Sequence, residues 1–238
     1  MLRFYPEKTK IIFFDLEYYV PSTDRERKSP SGMTFSPVIP GHKILGGTFL
    51  TYYPMQDRIA KRRSIWEWLV GDEESVLREI FELLQQEWRS IEANDQAASL
   101  MLAGIGISHS DIPSLLAKLL PSKVAEKHRI FDLLSGCRQI DLSVATYSQF
   151  AFNKSYFSYP KSKSALYQKY LSGKRLDTGK TVWEMYEAGD FGAIEHRCAE
   201  EVDDALVIYK AMIDKKKEND RSLRRLKKLE KLQELGSV

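Results

Sequence analysis

The chain has 238 residues, 43% of them hydrophobic and 11% aromatic, with a net charge of +3. That is enough material for one substantial core, and it excludes a polycation that binds nucleic acid through bulk charge alone. No apolar run approaches the ~20 residues of a membrane-spanning helix, and the two cysteines, Cys137 and Cys198, lie far apart without CxxC spacing, which argues against a zinc site or a disulfide scaffold and makes a reducing cytoplasm the expected compartment.

The first element is Lys10 to Tyr19, rich in β-branched and aromatic residues and predicted as a buried strand. Asp15 and Glu17 stand two apart on it, so both carboxylates project from one face. Two like charges so close repel unless they share a cation, which points to an oxygen-ligated divalent metal; a strand end emerging into solvent is the alternative. Pro21 to Pro40 is rich in Ser, Pro and charge and reads as a loop near the acidic end of the strand. Lys43 to Tyr53 is a second strand, expected antiparallel to the first.

Trp66, Trp68, Leu69, Val76, Ile80, Leu83, Leu84 and Trp88 then recur at helical spacing around the acidic start Asp72-Glu73-Glu74, so an amphipathic helix is expected, with its tryptophans in the core. Ser99 to Ile107 is a further buried strand, followed by Asp111 and a helix from Ser114 to about Leu120. Ile130 to Leu134 and Gln139 to Leu142 are short pieces around Gly136, with Asp141 at a strand end. Tyr147 to Tyr159 has no clear assignment. Helical patterns return at Ala165 to Leu171 and Thr181 to Glu187, and a last helix starts near Phe191 and runs to about Leu235. Strands first and helices later predict an α/β fold, a mixed sheet flanked by helices with a long C-terminal helix. Residues 1–213 are expected to form one domain and residues 214–238 a basic helical tail. In that tail Leu223, Leu226, Leu229, Leu232 and Leu235 recur only every third residue, which disfavours a coiled coil and suggests a protruding helix that contributes positive potential.

Three acidic signals need one explanation: Asp15 with Glu17, Asp111 after a buried strand, and Glu201 five residues after His196 on the last helix. His109 is a rival to His196, and Asp203 and Asp204 are rivals to Glu201. Lys180 and Arg175 could steer phosphates, or simply lie on a solvated face.

Taken in order, these residues resemble the DEDD (DnaQ-like) superfamily of 3′–5′ exonucleases, which have a ribonuclease-H-like fold. Asp15-x-Glu17 matches the first motif, Ser110-Asp111-Ile112-Pro113-Ser114-Leu115 the second, and His196 with Glu201 the third, in its histidine form. Glu201 stands where the family usually has Asp, and no Asn precedes Asp111. The resemblance implies two divalent ions, Mg²⁺ or Mn²⁺, held by Asp15, Glu17, Asp111 and Glu201, with His196 as general base and single-stranded DNA or RNA ends as substrate. The two departures from the family pattern suggest a second reading, in which a degenerate member of the fold binds nucleic acid or a protein without cutting.

Overall fold

A computed structural model describes residues 9–29, 32–92, 100–150, 160–174 and 179–235, excepting the side chains of Glu92 and of residues 227–235. Alternation along β1 (Lys10–Tyr19) sends Ile12, Phe14 and Leu16 to one face of the sheet and Ile11 and Phe13 to the other, so that each face joins its own buried cluster. Asp15 and Glu17 continue the line of Ile11 and Phe13. β2 (Lys43–Tyr53) pairs antiparallel with β1, placing Phe49 opposite Phe14 with the rings stacked 5.7 Å apart. β3 (Arg58–Trp66) pairs antiparallel with β2; β4 (Leu100–Gly104) runs parallel to β1, and β5 (Arg138–Asp141) parallel to β4. The sheet order is β3-β2-β1-β4-β5, with the acidic strand in the middle.

The helices follow in chain order: α1 (Glu67–Val70), α2 (Glu73–Glu92), α3 (Asp111–Leu119), α4 (Lys127–Gly136), α5 (Leu142–Ala145), α6 (Lys163–Tyr170), α7 (Thr181–Ala188) and α8 (Phe191–Leu235). α2, α3 and α4 contribute Ile80, Leu84, Leu115, Leu119, Ile130 and Leu134 to the cluster that holds Ile12 and Phe14. α8 and α6 contribute Val202, Leu206, Ile208, Leu166 and Tyr167 to the cluster that holds Ile11 and Phe13. Each large side chain so buried contributes about 1.5–3 kcal/mol. None of the described helices is long and apolar enough to cross a membrane.

Three expectations change. The strand β3 has no counterpart in the sequence reading, because residues 58–64 carry four cations and are largely exposed, with only Ile65 and Trp66 buried. It is an edge strand, and lysine and arginine there discourage pairing with other chains. Trp66 therefore ends a strand instead of opening a helix, and the helix proper begins after Gly71, capped by Asp72, which accepts a hydrogen bond from Ser75 N at 2.7 Å. α3 starts at Asp111, three residues earlier than expected.

The last helix matches its expected bounds. Its buried residues stop at Ile208, and every residue from Asp214 to Leu226 is exposed, Leu223 and Leu226 by 55% each. The 45 residues of α8 span about 67 Å, so a long part of it projects beyond the sheet.

Between Glu17 and Tyr18 the pairing with β2 slips from Gly46 to Ile44, a bulge that leaves Leu45 extra. Gly46 has φ +140°, and a Cβ there would lie 2.0 Å from the Ile65 carbonyl oxygen. Gly46→Ala is therefore expected to destabilise the fold by about 2 kcal/mol or more. Urea unfolding with an unchanged midpoint would contradict the bulge geometry.

Candidate active site

Four carboxylates converge from elements distant in sequence. Asp15 and Glu17 extend the α8-facing line of β1. Asp111 arrives because β4 lies parallel beside β1 and the chain turns into α3 just beyond its end. Its Oδ1 accepts the Leu16 backbone N–H at 3.1 Å, and its Oδ2 accepts from the Ser110 hydroxyl. Asp111 is thereby tied to the backbone between Asp15 and Glu17. Glu201 comes from the buried side of α8.

Two cations sit among them. Lys163 is the first residue of α6, whose Ser162 cap accepts from Ala165 N at 3.2 Å, and its ammonium donates to Glu201 Oε2. Arg197 donates through Nη1 to Glu17 Oε1, while its Nη2 lies 2.7 Å from Glu201 Oε1. Of the four carboxylates, Asp15 alone accepts no side-chain or backbone hydrogen bond from a described residue. All six charged groups line one cleft of about 1070 Å³, whose walls include Leu16, Tyr18, Met33, Ile105 and Lys174.

Electrostatics follows from crowding. Burial and the neighbouring Glu201 charge hold the Asp15 carboxyl well above its usual range. Burial pushes Glu17 up to about 7, even though Arg197 pulls in the other direction. Burial raises Asp111 too, against the hydrogen bonds from Ser110 and Leu16. Burial alone would lower Lys163, but the Asp15 and Glu201 charges outweigh it and hold the ammonium above its ordinary value. Fully ionised, the four carboxylates exceed Lys163 and Arg197 by two negative charges.

The donor set suits a hard cation. Ligand atoms of Asp15, Glu17 and Cys198 lie within 4.8 Å of one another. Burial keeps the Cys198 thiol well above its usual value, and its Sγ donates to the Asp15 carbonyl oxygen at 3.4 Å. Cys198 is therefore a protonated support for the strand, and the oxygen donors available to a cation are those of the carboxylates.

The structure brings together Asp15, Glu17, Asp111 and Glu201, and it leaves His196 outside. The His196 side chain is 76% exposed, with Nε2 3.8 Å from Glu200, and it does not line the cleft. Five residues along a helix turn the side chain about 140° away from Glu201, whereas four leave it about 40° away. The residue four before Glu201 is Arg197. Asp203 points outward to Arg62, and buried Asp204 binds Lys174 Nζ at 2.8 Å; neither lines the cleft. His109 is exposed in a separate depression beside Arg27, Phe35 and Pro113. Asp141 ends β5 and accepts from the backbone N–H groups of Gly106 and Ser143, each at 2.9 Å. Arg175 lies outside the described residues, and Lys180 does not line the cleft.

Sequence reasoning missed Lys163, Arg197 and Lys174. The four-residue spacing from Arg197 to Glu201 was a usable signal. Lys163 had none, being 38 positions from its partner.

The crowding sets a pH dependence. Glu17 holds its proton up to about 7 when folded against an ordinary 4.5, and Asp15 and Asp111 shift in the same direction. Across that interval the folded chain binds more protons than the unfolded one, so metal-free stability falls as pH rises from about 4.5 to about 7. Melting in chelator is expected at a lower temperature near pH 7.5 than near pH 5, with added Mn²⁺ raising it more at the higher pH. A metal-free melting temperature that climbs across this range would contradict the arrangement.

No protein-family model matches the chain, and no curated protein matches it either, so the reading of this cleft rests on its own geometry and on the motif resemblance.

Proposed function

We propose that the cleft is the catalytic centre of a divalent-cation-dependent 3′–5′ exonuclease acting on single-stranded DNA or RNA ends. The observation that carries this reading is the convergence of Asp15, Glu17, Asp111 and Glu201 on one cleft with two more negative charges than Lys163 and Arg197 balance. The mixed sheet with its acidic strand in the middle supports the ribonuclease-H-like architecture that the motif resemblance implies.

The carboxylates offer the oxygen ligands that Mg²⁺ or Mn²⁺ prefers. Such an ion, when bound, supplies a water acidic enough to attack at neutral pH and compensates charge on the phosphate. The chain's own residues do the rest. Lys163, and Lys174 at the rim, are each paired with a carboxylate and keep further ammonium donors for phosphate oxygens. Tyr18, Met33 and Ile105 offer apolar surface against which a terminal base can lie. Asp111, tied to Leu16 N, keeps β1 and α3 in register so that the acidic groups hold their spacing. His196 has no part in this reading, because a general base must reach the attacking water and its side chain faces Glu200 in solvent.

One observation favours a second reading. Arg197 engages both Glu17 and Glu201, as it would in a groove that binds nucleic acid without cutting.

The test is digestion of end-labelled single-stranded DNA and RNA with Mg²⁺, with Mn²⁺ and with chelator. Ladders shortening from the 3′ end and lost in chelator are expected. Asp15→Asn should slow them by more than about 100-fold, the upper end for losing a group that merely supports a ligand. His196→Ala should leave the rate essentially unchanged; if it abolishes cleavage, the base is His196 after all. Oligonucleotide that binds and stays intact in every condition identifies the non-cutting groove.

A further inference from the structure

Building on the reading above, we infer that Lys163 holds the place of a second cation, so that the cleft binds one divalent ion per chain. The assignment of oxygens carries this. Both carboxylate oxygens of Glu201 are engaged, Oε2 by the Lys163 ammonium and Oε1 by Arg197 Nη2 at 2.7 Å. Arg197 also occupies Glu17 Oε1. The Asp15 carboxylate, in contrast, accepts nothing from the described residues, and its ligand atoms lie within 4.8 Å of those of Glu17. Ligand capacity is therefore concentrated at Asp15, with the second oxygen of Glu17 beside it, since both oxygens of Asp111 accept hydrogen bonds from Leu16 N and Ser110. Glu201 serves as the counter-ion that seats Lys163.

Charge supports the same count. With all four carboxylates ionised, Lys163 and Arg197 leave a deficit of two, Lys174 being paired with Asp204; one divalent ion neutralises that deficit, and a second would leave two excess positive charges. Lysine is suited to the second position. Its ammonium is compact and carries three donors, of which Glu201 takes one, leaving others for phosphate oxygens in the cleft. In the hydrolysis the water oxygen bonds to phosphorus and the P–O3′ bond breaks. One water proton leaves to solvent and the 3′ oxygen takes one up from solvent. Lys163 keeps its proton throughout and contributes charge to the phosphoryl group, where its family resemblance would place a metal.

The experiment counts Mn²⁺ bound to the full chain by electron paramagnetic resonance and by calorimetry, without nucleic acid. One ion per wild-type chain is expected, with Lys163→Arg also binding one and Lys163→Met binding two. Two ions on the wild-type chain overturn the inference while leaving the metal-dependent reading of the cleft intact. One ion on Lys163→Met with unchanged affinity also overturns it, because the lysine then excludes nothing. No Mn²⁺ on the wild-type chain at millimolar concentration removes both the inference and the metal-dependent function. Should Lys163→Met fail to fold, the wild-type count alone decides between one ion and two.

Discussion

Burying carboxylates is expensive, several kcal/mol for each ion that lacks a partner, and this protein does it with three at one place, Glu17, Asp111 and Glu201, beside a half-buried fourth, Asp15. Much of its architecture makes that tolerable. Lys163 reaches Glu201 only because α6 packs against α8, with Leu166 and Tyr167 buried beside Val202 and Leu206. Arg197 reaches Glu17 only because α8 lies across β1. The two cations answer half of the acidic charge, and burial, with the neighbouring carboxylate charges added to it, keeps Asp15 and Glu17 inclined to hold protons. A cluster arranged in this way is a stability liability when empty of cations, which is the usual mark of a site built for binding or catalysis.

The placement of α8 rests on contacts remote from the charges. Trp68 stacks between Trp66 and Phe191, with ring centroids 4.9 and 4.5 Å away, and its indole N–H donates to Glu195 at 2.8 Å. These contacts hold the first turns of the helix against the end of β3 and set its rotation. Ile194, Cys198, Val202 and Ala205 then face inward at intervals of three and four, and Glu201 falls on the same side. At the other end, Tyr209 packs edge-on against Phe13 and Tyr52, with centroids 5.4 and 6.3 Å away. Past Ile213 no such anchoring occurs among the described side chains, and the basic segment extends as an exposed helix.

The strand β1 shows how much chemistry local pattern can encode. Its alternation, its burial and the shared face of Asp15 and Glu17 all follow from a two-residue repeat and a dense apolar run. The antiparallel partner at Lys43–Tyr53 and the full extent of α8 were legible for the same reason, since hydrophobic periodicity is a local property. The edge strand at Arg58–Trp66 was not legible, because an edge strand facing solvent carries charge where a central strand carries valine or isoleucine, and its pairing partner supplies the order. The start of α3 lies three residues before the expected one because Asp111 stands in the first helical turn, where a carboxylate complements the helix dipole.

The sequence by itself determined the α/β class and the order of the main elements, which depend on residue type and on repeats of two and 3.6 residues that any segment carries with it; the four converging carboxylates were indicated by the motif resemblance. Only the tertiary structure decided which cations accompany them. Helical rotation turned His196 out and Arg197 in, an outcome that depends on how α8 is seated against β1. The pairing of Lys163 with Glu201, across 38 positions, depends on the packing of two helices and is written in neither. Charge balance in a buried cluster is a property of groups brought together in space, and it becomes readable only once the chain has folded.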